Sequence, residues 1–183
     1  MLPGTATAIV LIATPIAAQA DVVRSGSFTV RAGQTIDDNL TVRGGNLVIH
    51  GRVKGNVTQT GNGTITIKPG AVVEGNVTES GAGNISTAGT VKGNVTEKDG
   101  GYLSQSGGLI EGNVTEYHAG DLGIRGRVKG NVEENSGGYL ALYGTARIEG
   151  NVEENSAGNL FRYRGSIVNG DVEEYGSGSI VRR

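Results

Sequence analysis

Val91-Lys92-Gly93-Asn94-Val95-Thr96-Glu97 returns one period later as Ile110-Glu111-Gly112-Asn113-Val114-Thr115-Glu116, with one cation exchanged for an anion. The motif is not confined to these two copies. Gly-[Asn/Asp]-Val falls at Gly55, Gly75, Gly93, Gly112, Gly130, Gly150 and Gly170, with a degenerate copy at Asp38-Asn39-Leu40. A second landmark, Gly-x-[Leu/Ile/Phe], begins at Gly26, Gly45, Gly63, Gly83, Gly101, Gly120, Gly138, Gly158 and Gly178, in steps of 18 to 20 residues. Between the landmarks the apolar residues alternate over short stretches, as in Leu47-Val48-Ile49, Ile65-Thr66-Ile67 and Leu140-Ala141-Leu142. A period of two bounded by Gly and Asn specifies strands and turns, and no stretch after residue 20 sustains a 3.6-residue period. A meander would present opposed strands and two kinds of turn, whereas one motif repeated in one orientation fits coils stacked on their predecessors. The fold class is therefore all-β: a single parallel β-solenoid of eight to nine coils of 18 to 20 residues. A single coil buries too little to stand alone, so stability comes from stacking, and the two ends are unpaired strand edges.

Stacking turns sequence positions into columns. The residue after the first aliphatic of each motif reads Asp37, Lys54, Glu74, Lys92, Glu111, Lys129, Glu149 and then Asn169. Equivalent residues of adjacent strands lie about 4.8 Å apart, so alternation gives each charge opposite neighbours and penalises a slip of one coil. The next column is Asn39, Asn56, Asn76, Asn94, Asn113, Asn131 and Asn151, ending in Asp171, a ladder able to pass side-chain hydrogen bonds from coil to coil. Three residues beyond each Asn, Gln59 is followed by Glu79, Glu97, Glu116, Glu134, Glu154 and Glu174. A column of one sign is costly, so the expectation is a solvated corner, with a calcium ladder on the same glutamates as the alternative.

Composition narrows the function. A net charge of −2 over 183 residues gives no basis for binding nucleic acid, and the absence of Cys removes disulfides, thiolate metal sites and cysteine nucleophiles. No coil carries an insertion that would wall a pocket, His50 and His118 lack ligand spacing, and no Ser/His/Asp set stands out, so an enzyme is not expected. Residues 1–20 differ from the rest: Thr5 to Ala18 is nearly uncharged, and Ala18-Gln19-Ala20 precedes Asp21. They read as a secretory signal before a solenoid domain at 21–183, implying a secreted, extracellular or periplasmic location. No Lys or Arg precedes the apolar run.

All six Tyr residues lie between Tyr102 and Tyr175, among several arginines, and Tyr143 and Tyr163 stack in adjacent coils as a candidate binding face for a glycan or protein. Arg162 and Arg182 fall in a column that alternation turns inward, so the last coils are expected to be irregular or capped.

The sevenfold [Val/Ile]-[Lys/Glu/Asn]-Gly-[Asn/Asp]-Val, with Gly-Arg-Val-Lys-Gly at Gly51 to Gly55 and again at Gly126 to Gly130, resembles the repeats of bactofilins over about residues 26–180. That resemblance implies a right-handed triangular β-helix that polymerises end to end into non-polar filaments without nucleotide. Val57-Thr58-Gln59-Thr60-Gly61-Asn62-Gly63 is also similar to the unit of curlin, the secreted subunit of curli amyloid, although Glu replaces its Gln in later coils. Together these features describe a non-enzymatic structural subunit without a cofactor. Its partner is a further copy of itself through the solenoid ends, and envelope or matrix polysaccharide is a second candidate. The alternative is a monomeric adhesion or glycan-binding module using the Tyr/Arg-rich coils.

Overall fold

The computed structural model describes residues 21–183, so the reading of residues 1–20 as a signal lies outside it. The first coil is Val22–Ser25, Phe28–Val30 and Thr35–Ile36, and each later coil repeats these three short strands except the last, which has only Val172–Glu174 and Ile180–Arg182. Corresponding strands of successive coils pair in parallel and form three faces, of nine, nine and eight strands. The described residues form strands, turns and bends without a helix, as the period of two requires.

Pairing joins the columns read from the sequence. On the first face Val77, Thr78 and Glu79 pair with Val95, Thr96 and Glu97, which pair with Val114, Thr115 and Glu116. A typical coil sends five side chains inward; in the sixth these are Val114, Glu116, Leu122, Ile124 and Val128, all fully buried. The core is thus a stack of aliphatic columns, each position covered by its equivalents above and below.

The last coils correct one expectation. Leu160, Phe161 and Arg162 pair regularly with Ile180, Val181 and Arg182, so the strand register runs through without a break. Arg162 and Arg182 inherit the inward column of Leu142, and they remain partly or fully exposed because the stack ends beside them.

Candidate functional site

The asparagine column is continuous, and its donors are backbone groups. The side-chain Oδ1 of Asn39 accepts from the N–H of Asn56 at 2.8 Å, and Asn56 accepts from Asn76 at 2.9 Å. Asn76, Asn94 and Asn113 accept from Asn94, Asn113 and Asn131 at 2.8 Å each, Asn131 from Asn151 at 3.0 Å, and Asn151 from Asp171 at 3.1 Å. Every rung therefore points the same way along the rod. The preceding glycine makes room for it: a Cβ on Gly112 would lie 2.4 Å from Asn94 Oδ1, and one on Gly130 would lie 2.3 Å from Asn113 Oδ1.

The alternating charges pair in part as expected. Lys54 Nζ lies 2.6 Å from Asp37, Lys92 lies 3.6 Å from Glu74, and Lys129 lies 3.4 Å from Glu111, so each lysine reaches the acid of the coil before it. The contact in the other direction comes from arginines two positions earlier: Arg52 bonds Glu74 at 2.5 Å, and Arg127 reaches Glu149 at 2.5 Å. The Arg52 hydrogen bond holds the Glu74 carboxyl below its ordinary range, and the bond to Asp37 raises Lys54. Reading the charged column alone misses these arginines, although the doubled Gly-Arg-Val-Lys-Gly carries them.

A second ladder was also hidden. Asn46 Oδ1 accepts from the N–H of Thr64, Asn84 from Tyr102, Asp121 from Tyr139 and Asn159 from Ser179, at 2.9 to 3.2 Å. It uses alternate coils, so its signal is the two-coil period of the charges rather than that of one coil.

The glutamate column departs most from expectation. Gln59, Glu79, Glu97, Glu116, Glu134 and Glu154 are all 0% exposed, so the solvated corner is corrected to a buried one. Each side chain folds inside the turn to the second face. Glu97 Oε1 accepts from the N–H of Gly101 at 3.1 Å, Glu116 Oε1 from Gly120 at 3.2 Å, and Glu134 Oε1 from Ser136 at 3.0 Å. Burial, followed by the stacked Glu97, raises Glu79 to about 8; burial, followed by Glu134 and Glu97, raises Glu116 to about 10. Burial also raises Glu154. Val95-Thr96-Glu97 carried the signal, since strict alternation puts Glu on the side of the buried Val. Among the described residues no group of three or more His, Cys, Asp or Glu is arranged to hold a metal ion.

On the outside of the second face, Tyr143 and Tyr163 stack at 5.1 Å between centroids, with the Arg125 guanidinium 3.5 Å from the Tyr143 ring centroid. Beside them Tyr102, Ser104, Asp121, Gly123 and Tyr139 help line an open cleft of about 260 Å³.

The two ends expose what the middle hides. Val152 is 0% exposed, whereas Val172, its paired neighbour in the last coil, is only half-buried. Ile180, paired with the buried Leu160, is 40% exposed, and Val22 at the opposite end, paired with the buried Leu40, is only partly buried.

Parallel coils joined by directional ladders define a β-solenoid. Residues 28–117 match the family model for Bactofilin, described as polymer-forming cytoskeletal, so the repeats in that part of the chain are similar to those of bactofilins. No curated protein and no solved structure matches the chain. The family describes a structural polymer former, and the same coil geometry continues through residues 118–182. The match corrects the expected location. A cytoskeletal family works inside the cell, which contradicts a secreted, extracellular or periplasmic protein. Hydrophobicity from Thr5 to Ala18 suggested export without the preceding cation that normally accompanies it.

Proposed function

We propose that this chain is a non-enzymatic subunit, needing no cofactor, that stacks on copies of itself through the open faces of its first and last coils. The observation that carries the reading is the contrast between Val152, sealed by the coil above it, and Val172, which lacks such a coil. A second copy placed on that end would cover Val172 and Ile180 and pair the free strand edges, gaining apolar burial and backbone hydrogen bonds together. Electron microscopy and sedimentation of the purified protein should show filaments. Val172→Lys combined with Ile180→Lys should shorten them while leaving the coils folded, because both positions are at the open end. Monomers alone at every concentration, or filaments indifferent to both substitutions, would refute end-to-end stacking.

A second reading is supported by the Arg125, Tyr143 and Tyr163 stack beside the aromatic cleft: the second face binds a polysaccharide. Aromatic rings with a nearby carboxylate and guanidinium suit the apolar face and hydroxyls of a sugar ring. Binding on a glycan array, lost on replacing Tyr143 and Tyr163 by Ala, supports this reading, and the absence of any binding refutes it.

A further inference from the structure

We propose that Glu79, Glu116 and Glu154 are neutral carboxylic acids hydrogen-bonded to Glu97 and Glu134 on the intervening coils, and that this column stabilises the rod only while those three keep their protons. The five are paired in register on consecutive strands of the first face, and all are 0% exposed. Turn N–H groups engage one oxygen of Glu97, Glu116 and Glu154, while Oε2 of each has no partner. Both carboxyl oxygens of Glu79 lack one. Ionised, these oxygens would be buried without donors and would face like charges about 4.8 Å away. Protonated, an Oε2–H on one coil finds its acceptor in the carboxyl of the next, and one change satisfies both demands.

Among the described residues no cation forms an ion pair with these carboxyls. Glu79 faces Gln59 and Glu97, with Asp99 near the turn; Glu116 lies between Glu97 and Glu134; Glu154 meets Glu134, Ser156 and Glu174. Lys98 and His118, in the neighbouring turns, are exposed. Gln59 occupies a rung of the same column, and its amide donates to the Gly45 carbonyl at 3.3 Å, so an amide is tolerated there.

The sign follows from linkage. Below about pH 4.5 folded and unfolded chains both hold these protons, and the contribution of the column is complete. As pH rises the unfolded chain releases them first, and each carboxyl still protonated in the fold lowers the folding constant about tenfold per pH unit. For Glu79 and Glu116 the loss extends upward to about 8 and about 10.

Urea titrations of the native chain and of a Glu79→Gln, Glu116→Gln variant test this between pH 5 and pH 8. The native folding constant should fall at least about tenfold more than that of the variant, which keeps the hydrogen-bonding shape without the ionisation. Equal pH dependence of the two chains overturns the proposal. Infrared spectra of the native protein at pH 7 test it independently of whether the variant folds. A protonated-carboxyl carbonyl band is expected, and its absence overturns the proposal.

Discussion

Gly137 and Gly138 are adjacent in sequence, and alanine should have opposite effects on them. A Cβ on Gly137 meets nothing within 4 Å, and the residue is exposed with no positive φ, so alanine only narrows the unfolded ensemble. A gain of about 0.4–1 kcal/mol is expected. A Cβ on Gly138 would lie 1.6 Å from the Gly120 carbonyl oxygen, where contacts under 3.0 Å are not tolerated, so the coils must part by about 1.4 Å. That displacement breaks the bonds beside it, from Leu122 N–H to the Tyr139 carbonyl at 2.9 Å and from Tyr139 N–H to Asp121 Oδ1 at 3.2 Å. Two lost hydrogen bonds and the accompanying loosening of the core amount to about 2–4 kcal/mol. In a chain of this size that is a fall of roughly 5–15 °C in Tm, against a rise of up to about 4 °C for Gly137→Ala. Circular dichroism melts of both variants decide the matter. If Gly138→Ala melts with the native protein, or Gly137→Ala falls equally, close coil-to-coil approach is not what selects this glycine column.

Asn113→Ala removes the acceptor for the Asn131 N–H while leaving the bond from its own N–H to Asn94, and should cost about 0.5–1.5 kcal/mol in chemical denaturation. Lys129→Glu places a third carboxylate between Glu111 and Glu149 and should destabilise by about 0.2–1 kcal/mol at low ionic strength. The difference should nearly vanish at about 1 M salt, where screening acts within about 3 Å. Arg52→Ala removes the principal cause of the lowered Glu74 pKa, so NMR titration should show that carboxyl moving upward towards its ordinary value.

Much of this molecule was legible in its sequence because a solenoid makes local periodicity global. The alternation in Leu103-Ser104-Gln105 and Leu122-Gly123-Ile124 identifies inward positions before any coil is placed, and the near-constant step places Asn94 under Asn113. The glutamates show where prior expectation overrode pattern. Val95-Thr96-Glu97 places Glu inward, but a column of ionised carboxylates belongs in water, and only closure of the corner shows that the side chains are enclosed. The charge column was likewise half-read, because its upward partners, Arg52 and Arg127, sit two residues away on the same outer surface.

The sequence by itself determined the repeat, its step, the alternation of buried and exposed positions and the register set by the Asn and charge columns. These follow from a period of two within strands and a nearly fixed interval between them. Tertiary structure decided the three faces, the burial of the glutamates, and the two-coil ladder through Asn46, Asn84, Asp121 and Asn159. The physical reason is that enclosure belongs to the stack: a side chain's access to water depends on the coils above and below it, which its own coil does not specify.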